Sequence, residues 1–530
     1  MLLNLCACTK KEDEKTDEKV DVVTEDKVDS QVSIPGLEDQ YQSNAKQESW
    51  GISVDFMNNE TAAYAFETYR DFSNRFLLNS LERGKNIFVS PFSAYYALAI
   101  LSNGAAGNTR NALENALGMS VHDLNYFLKD VDDAYTKSEW GNSYTKANSL
   151  LFNTAKGLSL SKEYKDTINT FYGDCALQED FKDGKDVSDK VNAWAKENTG
   201  GMISDILNTD EIDEETPFLI LNALATGDKW MFPFDPEKTN YQQFHNYDGS
   251  SGMVEMMHQR LYGHWNDELS EGFTIMLQNG VLVTGILPNE GVDVYDYLNQ
   301  MKKDSLVPYA QISTEYDNVE DGGDMGCTAD LHFTDLSFPK FSLKGEYDLD
   351  ETLKKMRLQD LFNDQTCDLS AMAEGDKEII DQLYVKKVKQ KTSLDVNEEE
   401  VVASAVTIVE GGLGAGGCTV RDTYYHTVTF DRPFIIILSH GARDLVLPLF
   451  MGVVSELGED VKEAVRIENI TGKINIRSLP STKGEKLGTF AKGEILYAFE
   501  TKEAEGYTWY RIGENKWVAD QKGEWIKVLD

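Results

Sequence analysis

Residues Asn86–Gly118 read NIFVSPFSAYYALAILSNGAAGNTRNALENALG. Asn86–Val89 is a short run ended by Ser90 and Pro91, as a strand is when it meets a residue that cannot donate to a ladder. Phe92–Leu101 is apolar on every side, the pattern of a helix buried all round. Ser102–Arg110, SNGAAGNTR, then breaks the run with glycines. Upstream, Ala63, Tyr64, Phe66, Phe72, Phe76 and Leu77 recur at helical spacing between Thr61 and Leu81, predicting a helix that stops near Gly84. Downstream, Phe273–Leu287 and Thr427–Leu438 are β-rich. Helices mixed with strand runs, with no repeat period, make an α+β chain.

The chain has 530 residues, which at roughly 150 per domain predicts three or four units. It carries 51 Lys and Arg against 90 Asp and Glu, a formal net charge of −39. Such acidity argues against nucleic acid, whose phosphates require clustered cations, and against anionic lipid. A hydrophobic content of 41% is enough for a large core. No apolar run is long enough for a membrane-spanning helix. The six cysteines (Cys6, Cys8, Cys175, Cys327, Cys367 and Cys418) form no CxxC, so neither a disulfide framework nor structural zinc is expected. No cofactor or metal is expected.

Residues 1–8, MLLNLCAC, resemble a bacterial lipobox, with Cys8 as the lipidated residue. Only seven residues precede Cys8, so the segment reads as a truncated signal. Residues 9–49 are rich in Lys, Glu, Asp, Ser and Gln, a composition that buries too little to fold and reads as an acidic tether. Anchor and tether together predict an extracellular, lipid-anchored protein of the bacterial surface.

Residues 466–530 differ in kind: 11 basic and 10 acidic residues leave the segment near neutral. Lys473–Arg477, Leu487–Phe490, Glu494–Phe499, Thr508–Ile512, Trp517–Ala519 and Glu524–Val528 alternate between turns and predict a small β-barrel.

The Asn86–Gly118 stretch resembles the serpin family of serine protease inhibitors. So do Leu221-Asn222-Ala223, Lys229-Trp230, Pro233-Phe234-Asp235-Pro236, Met256-Met257, Phe338-Pro339-Lys340-Phe341, Tyr347-Asp348-Leu349, Asp431-Arg432-Pro433-Phe434 and Phe450-Met451-Gly452, all in family order. The resemblance covers about residues 50–457. It implies one large domain, with three sheets, eight or nine helices and an exposed reactive-centre loop, against the three or four units that length suggests. It also implies a suicide mechanism, in which a peptidase cuts the loop and is trapped as an acyl-enzyme when the cut loop inserts into the main sheet. The shutter and breach residues it implies are Ser90, Ser93, Asn222 and Trp230, with Gln390 where the family has histidine. The resemblance further implies a monomer.

Val396–Thr407 aligns with the hinge of that loop, which begins at Glu398. In family register Val401, Ala403, Ala405, Thr407 and Val409 would face the core of the inserted strand, and Glu400, Val402, Ser404, Val406, Ile408 and Glu410 would face outward. The inward set is small or β-branched, and no flanking carboxylate is buried, which favours an inhibitor. Glu400 and Val401 depart from the family's Gly and Thr or Ser. Counting forward from Glu398 places the scissile bond at Gly414–Ala415, with Leu413 the neighbouring choice. Small residues there imply an elastase- or subtilisin-like target. Counting back from Pro433 reaches Asp422, eight residues later, so the loop holds an insertion. Arg421 is the second choice for the cut and would suit a trypsin-like peptidase.

Other readings are weaker. Gly412–Gly417 fits GxGxxG but no helix pattern follows it. No HExxH and no GxSxG occurs, and His258, His264 and Glu255 are sequence neighbours without a metal-site pattern, so the chain is not expected to be an enzyme. A non-inhibitory serpin acting as a surface scaffold is the alternative. The C-terminal segment resembles bacterial SH3-like domains through Gly472–Arg477, Pro480-Ser481, Leu487-Gly488, Lys492-Gly493, Trp509-Tyr510 and Trp517-Val518-Ala519. That implies Asn475, Ile476 and Arg477 at a strand edge, a Trp-Tyr pair packing the barrel, and cell-wall peptidoglycan as a possible ligand.

Overall fold

Phe66, Tyr69, Phe72 and Phe76 lie three or four residues apart, so helix α1 (Glu60–Ser80) turns one aromatic stripe inward, and all four are fully buried. Tyr64, expected in that stripe, is 61% exposed. It stands two residues from Phe66, about 200° round the helix. Ala63 is exposed as well. The helix ends at Ser80, and the chain turns through Gly84 at φ +81°, a conformation open to glycine. The computed structural model describes residues 60–136, 145–173, 175–198, 207, 212, 215–262, 264–300, 317–319, 326–401, 419–441, 446–458, 465–513 and 516–529.

After β1 (Ile87–Val89), Ser90 caps α2 (Pro91–Gly104) by accepting from the Ser93 N–H, and Pro91 takes the first turn, where no donor is needed. Phe92, Tyr95, Tyr96, Ala99 and Ile100 are buried on all sides of this helix, as its sequence requires. Helices α3 (Gly107–Leu117) and α4 (Val121–Thr136) pack around it, with Phe127 edge-on to Phe66 at 5.3 Å.

The main sheet comes in two parts. In the first, β2 (Thr145–Asn153) lies between β3 (Ala176–Glu179), parallel, and β4 (Phe218–Ala225), antiparallel; α5 (Lys162–Phe171) precedes β3 and α6 (Gly184–Asn198) follows it. After β4 the chain forms the short β5 (Asp228–Lys229), then β6 (Asn240–His245), β7 (Ser251–Tyr262), β8 (Trp265–Asn266), β9 (Ser270–Met276), β10 (Leu282–Pro288) and α7 (Val294–Gln300). Next are β11 (Gly326–Pro339), β12 (Phe341–Asp348), β13 (Lys389–Val396), β14 (Glu400–Val401), β15 (Thr419–Thr429), β16 (Phe434–His440) and β17 (Leu447–Val454). The second part of the main sheet is the β12–β13 pair, in register from Phe341 opposite Val396 to Asp348 opposite Lys389.

A second sheet runs β1–β17–β16–β10–β9–β8 and is antiparallel throughout. Its interior strands β16 and β17 are buried along their whole length, and both are mostly apolar, as burial on two faces requires. Each β-rich run of the sequence joins two strands: β9 meets β10 across a turn at 277–281, and β15 meets β16 across Asp431-Arg432-Pro433. The third sheet sets β11 between β7, antiparallel, and β15, parallel, with β6 outside β7.

The C-terminal residues form eight strands with their own core of Ile467, Ile474, Phe490, Leu496, Tyr510, Ile512, Val518 and Ile526. All six expected strands are present. Two more, Val465–Asn469 and Glu500–Ala504, escaped the reading; Glu500–Ala504 is polar on both faces and so shows no alternation. Ile474–Arg477 is no edge, being flanked by Lys486–Phe490 and Lys516–Asp520. Phe499 packs edge-on against Tyr241 of β6 at 4.6 Å, joining this unit to the large domain.

Candidate functional site

β4 and β13 are outer strands of the two parts of the main sheet, and among the described residues no ladder joins them. A cleft runs between them, lined by Phe218 and Ile220 of β4, Lys389 and Gln390 of β13, and Ser93 and Leu98 of α2 beneath. Strand edges carry unpaired N–H and C=O groups and are templates for another strand. Here two such edges frame one slot, with a buried helix as its floor.

The floor is latched. Gln390, 5% exposed, accepts from the Ser90 N–H at 2.8 Å and donates to the Ser90 carbonyl at 2.9 Å. The Ser90 hydroxyl donates to the Leu449 carbonyl at 2.7 Å and accepts from the Ser93 N–H at 3.1 Å. One side chain of β13 thus ties that strand to the start of α2 and, through Ser90, to β17. Ser90, Ser93 and Gln390 are thus joined by hydrogen bonds. Asn222 lies on β4 opposite Asn148, and its side chain is outside the described residues.

At the top of β13 the chain turns out of the sheet. Asn397 accepts from the N–H groups of Glu399 (2.9 Å) and Glu400 (3.0 Å), and its own N–H donates to the Glu400 carbonyl at 3.0 Å. This Asx turn lifts Glu400 and Val401 onto β5, with Glu400 opposite Lys229 and Val401 opposite Asp228. The Trp230 indole N–H, on a fully buried ring, donates to the Asn397 carbonyl at 2.9 Å, and the Phe234 N–H donates to the Glu398 carbonyl at 2.9 Å. Lys340 sits 3.3 Å from both Glu398 and Glu255. Burial works to raise the Glu398 carboxyl, but its own N–H, the Thr239 hydroxyl and Lys340 outweigh it and hold the group below the usual range. Val401 is buried and Glu400 half-buried. Trp230, Glu398 and the start of the hinge therefore meet at one point. Asn397 and Lys340 were not singled out as site residues; the Asn-Glu-Glu turn signature at 397–399 was the available signal.

Ala403, Ala405, Thr407, Leu413, Gly414 and Ala415 lie outside the described residues, as does Cys8. Arg421 and Asp422 belong to β15, where the ladder with β11 is irregular between Ala329 and Leu331; Asp422 is exposed. His258 and His264 do not share a site with Glu255. His258 faces Ser337, Asn240 and Gln242, while His264 stacks on His426. Among the described residues no three His, Cys, Asp or Glu side chains are arranged to hold a metal ion, and no helix is long and apolar enough to cross a membrane.

The family described as serpin (serine protease inhibitor) matches residues 59–457. The leukocyte elastase inhibitor A of Mus musculus is 28% identical over 381 residues, covering 71% of this chain and 94% of that protein. The plasminogen activator inhibitor 1 of Sus scrofa is 25% identical over 386 residues, covering 71% and 87%. Among solved structures, the thermophilic serpin tengpin in its native state superposes with a TM-score of 0.61 at 28% identity, over 74% of this chain and 94% of that one. With the match running through the slot, its latch and the turn above it, the chain belongs to the serpin family.

Proposed function

We propose that this serpin inhibits serine peptidases by trapping: the peptidase cuts the loop that joins β14 to β15, and the cut loop enters the slot between β4 and β13. The observation that carries the reading is the slot itself, two strand edges with no ladder between them and the hinge turn at its upper end. An entering strand bonds to both edges. At ~0.5–1.5 kcal/mol net per bond, a dozen bonds supply a drive comparable with the whole stability of an ordinary domain, ~5–15 kcal/mol. On this reading the protein is an inhibitor and not a catalyst.

Gly414–Ala415 is the bond we assign, with Leu413 as the adjacent choice. β15 begins at Thr419, five residues beyond Gly414. Arg421 and Asp422, the choices reached by counting back, sit at the irregularity of β15 between Val420 and Thr423, both paired to β11, so a peptidase cleft would have to strip that strand from its neighbour to take them. Small residues before the cut suit an elastase- or subtilisin-like target, and the similarity to a mouse leukocyte elastase inhibitor agrees with the first. The N-terminal Cys8 and acidic tether support a lipid-anchored extracellular site, and the eight-strand C-terminal unit with its buried Trp509 supports an SH3-like module holding peptidoglycan. Mixing the protein with elastase, subtilisin and trypsin and running denaturing gels tests the reading. A complex that survives SDS supports trapping; clean loop cleavage with every peptidase and no complex supports the scaffold alternative.

A further inference from the structure

Three imidazoles gather on one face of the third sheet, beside the strand that receives the loop. His426 of β15 stacks on His264, with ring centroids 3.8 Å apart and planes at 7°. Its Nε2 lies 2.9 Å from Nδ1 of His332 on β11. His332 stacks in turn on Tyr424 of β15 at 4.9 Å, and His264 Nδ1 lies 3.3 Å from the Thr334 hydroxyl. A nitrogen–nitrogen contact of this length is a hydrogen bond only when one ring donates and the other keeps its lone pair. Protonating both rings replaces that bond with a repulsion.

Among the described side chains, few face the rings with a charge that could neutralise them. β15 contributes Tyr424 and, two residues before it, Asp422, which is exposed; β11 contributes Thr334, and β7 contributes Leu261 opposite Thr334. The Arg260–Asp335 ion pair, with Tyr425 beneath the guanidinium, occupies the other face of the sheet. Burial first, then His426 and His332, bring His264 down to about 4, and burial followed by His332 lowers His426.

We propose that His264, His332 and His426 form an acid-sensitive clasp that fastens β15 to β11, and that mild acid opens it in the uncut protein. The ladder between these strands runs from Thr328–Thr419 to Ser337–Thr429, and the clasp grips its middle. A histidine whose folded value is depressed contributes stability that is complete above its ordinary value, ~6.5, and drains away as pH falls toward the folded value. The functional consequence rests on the trapping reading: a loop released at its C-terminal end can enter the slot uncut, and the inhibitor is spent without meeting a peptidase.

Hydrogen exchange of the β15 amides in the full-length protein, at pH 7.5 and pH 5.0 and corrected for intrinsic rates, reads the clasp without reference to inhibition. A shift of His264 from ~6.5 to about 4 caps the loss of protection at about 30-fold, and solvent screening of half-exposed rings brings the expectation to about tenfold. His264→Asn should remove most of that pH dependence and His426→Asn a part of it, while His440, buried on β16 and also depressed to about 4, stays in place to report general acid weakening. Unchanged protection in the parent protein, or the same acid loss in both variants, overturns the clasp. Complex formation with subtilisin after an hour at pH 5.0 and return to pH 7.5 reads the consequence, and should be lost with the chain still intact. A protein that traps at pH 7.5 but shows no acid-dependent exchange defeats the clasp alone. A protein that shows the exchange but never traps supports the clasp and defeats the trapping reading.

Discussion

Replacing Gln390 by Leu tests whether the latch under the slot holds this serpin in its native state. The substitution keeps apolar volume and removes both hydrogen bonds to Ser90. The two losses are unequal. The Ser90 carbonyl still accepts from the Ala94 N–H at 3.2 Å, so it loses one of two partners. The Ser90 N–H has Gln390 Oε1 as its acceptor and becomes an orphan in a site 1% exposed. An unsatisfied buried donor costs ~1–3 kcal/mol and the second bond ~1 kcal/mol, about 3 kcal/mol together. Unfolding entropy of ~2.1 cal/mol/K per residue over roughly 400 residues turns that into a Tm about 4 °C lower. Differential scanning calorimetry of the uncut protein reads it. A change below about 1 °C would mean that the latch is held by packing and not by these bonds. Gln390→His makes a sharper comparison. A histidine buried there is held neutral, so its contribution is present above ~6.5 and fades as the solution is acidified, giving a Tm that falls with pH faster than the parent's.

Further outcomes follow from the slot and hinge. Cutting the loop within residues 411–422 should raise the Tm by about 7–20 °C, from a dozen new ladder bonds at ~0.5–1.5 kcal/mol each; an unchanged melting curve would show that nothing inserts. Ala405→Glu should turn the inhibitor into a substrate, because the inserted strand would bury a charge; complex formation as efficient as the parent's would refute the register. Lys340→Ala leaves Glu398 without its cation at the top of β13 and should lower the Tm by about 1–3 °C at pH 7. Glu398's depressed value makes that contribution present above the ordinary carboxylate range and lost on acidification, so the difference between variant and parent should shrink as pH falls below ~4.5; a constant difference would assign the effect to packing.

Some of this architecture was legible because local and global demands agree. Asn86–Gly118 specifies a strand stop, a helix cap and an all-buried helix in one run, and α2 follows it residue by residue. Ser90, Ser93 and Gln390 were found through the family resemblance, since residues 300 positions apart show no periodic sign of their contact. Tyr64 misled because an aromatic near a helical stripe resembles a member of it, and only the angle from Phe66 separates them. Glu500–Ala504 stayed hidden because its strand is held by backbone pairing to Tyr507–Gly513, with no buried side to impose alternation. The histidine cluster was illegible for a stricter reason. His332 and His426 meet only through the parallel register of β11 and β15, and that register is set by neither strand's own sequence.

On the proposed reading, the same parallel ladder offers a physical reason for the eight-residue disagreement between the two ways of counting the loop. A count forward from Glu398 measures chain leaving the hinge, and a count back from Pro433 assumes a β15 of ordinary length. β15 here has 11 residues and pairs with a β11 of 14, long enough to take up added residues as strand. Had they extended the free loop instead, a cut near Asp422 would leave slack between the inserted segment and the acylated peptidase, and trapping would fail. A longer receiving strand keeps the distance from hinge to Gly414 unchanged and lengthens the anchor on the other side. If trapping proceeds as proposed, such an insertion would alter how firmly the loop is held and leave unaltered how far a captured peptidase is carried.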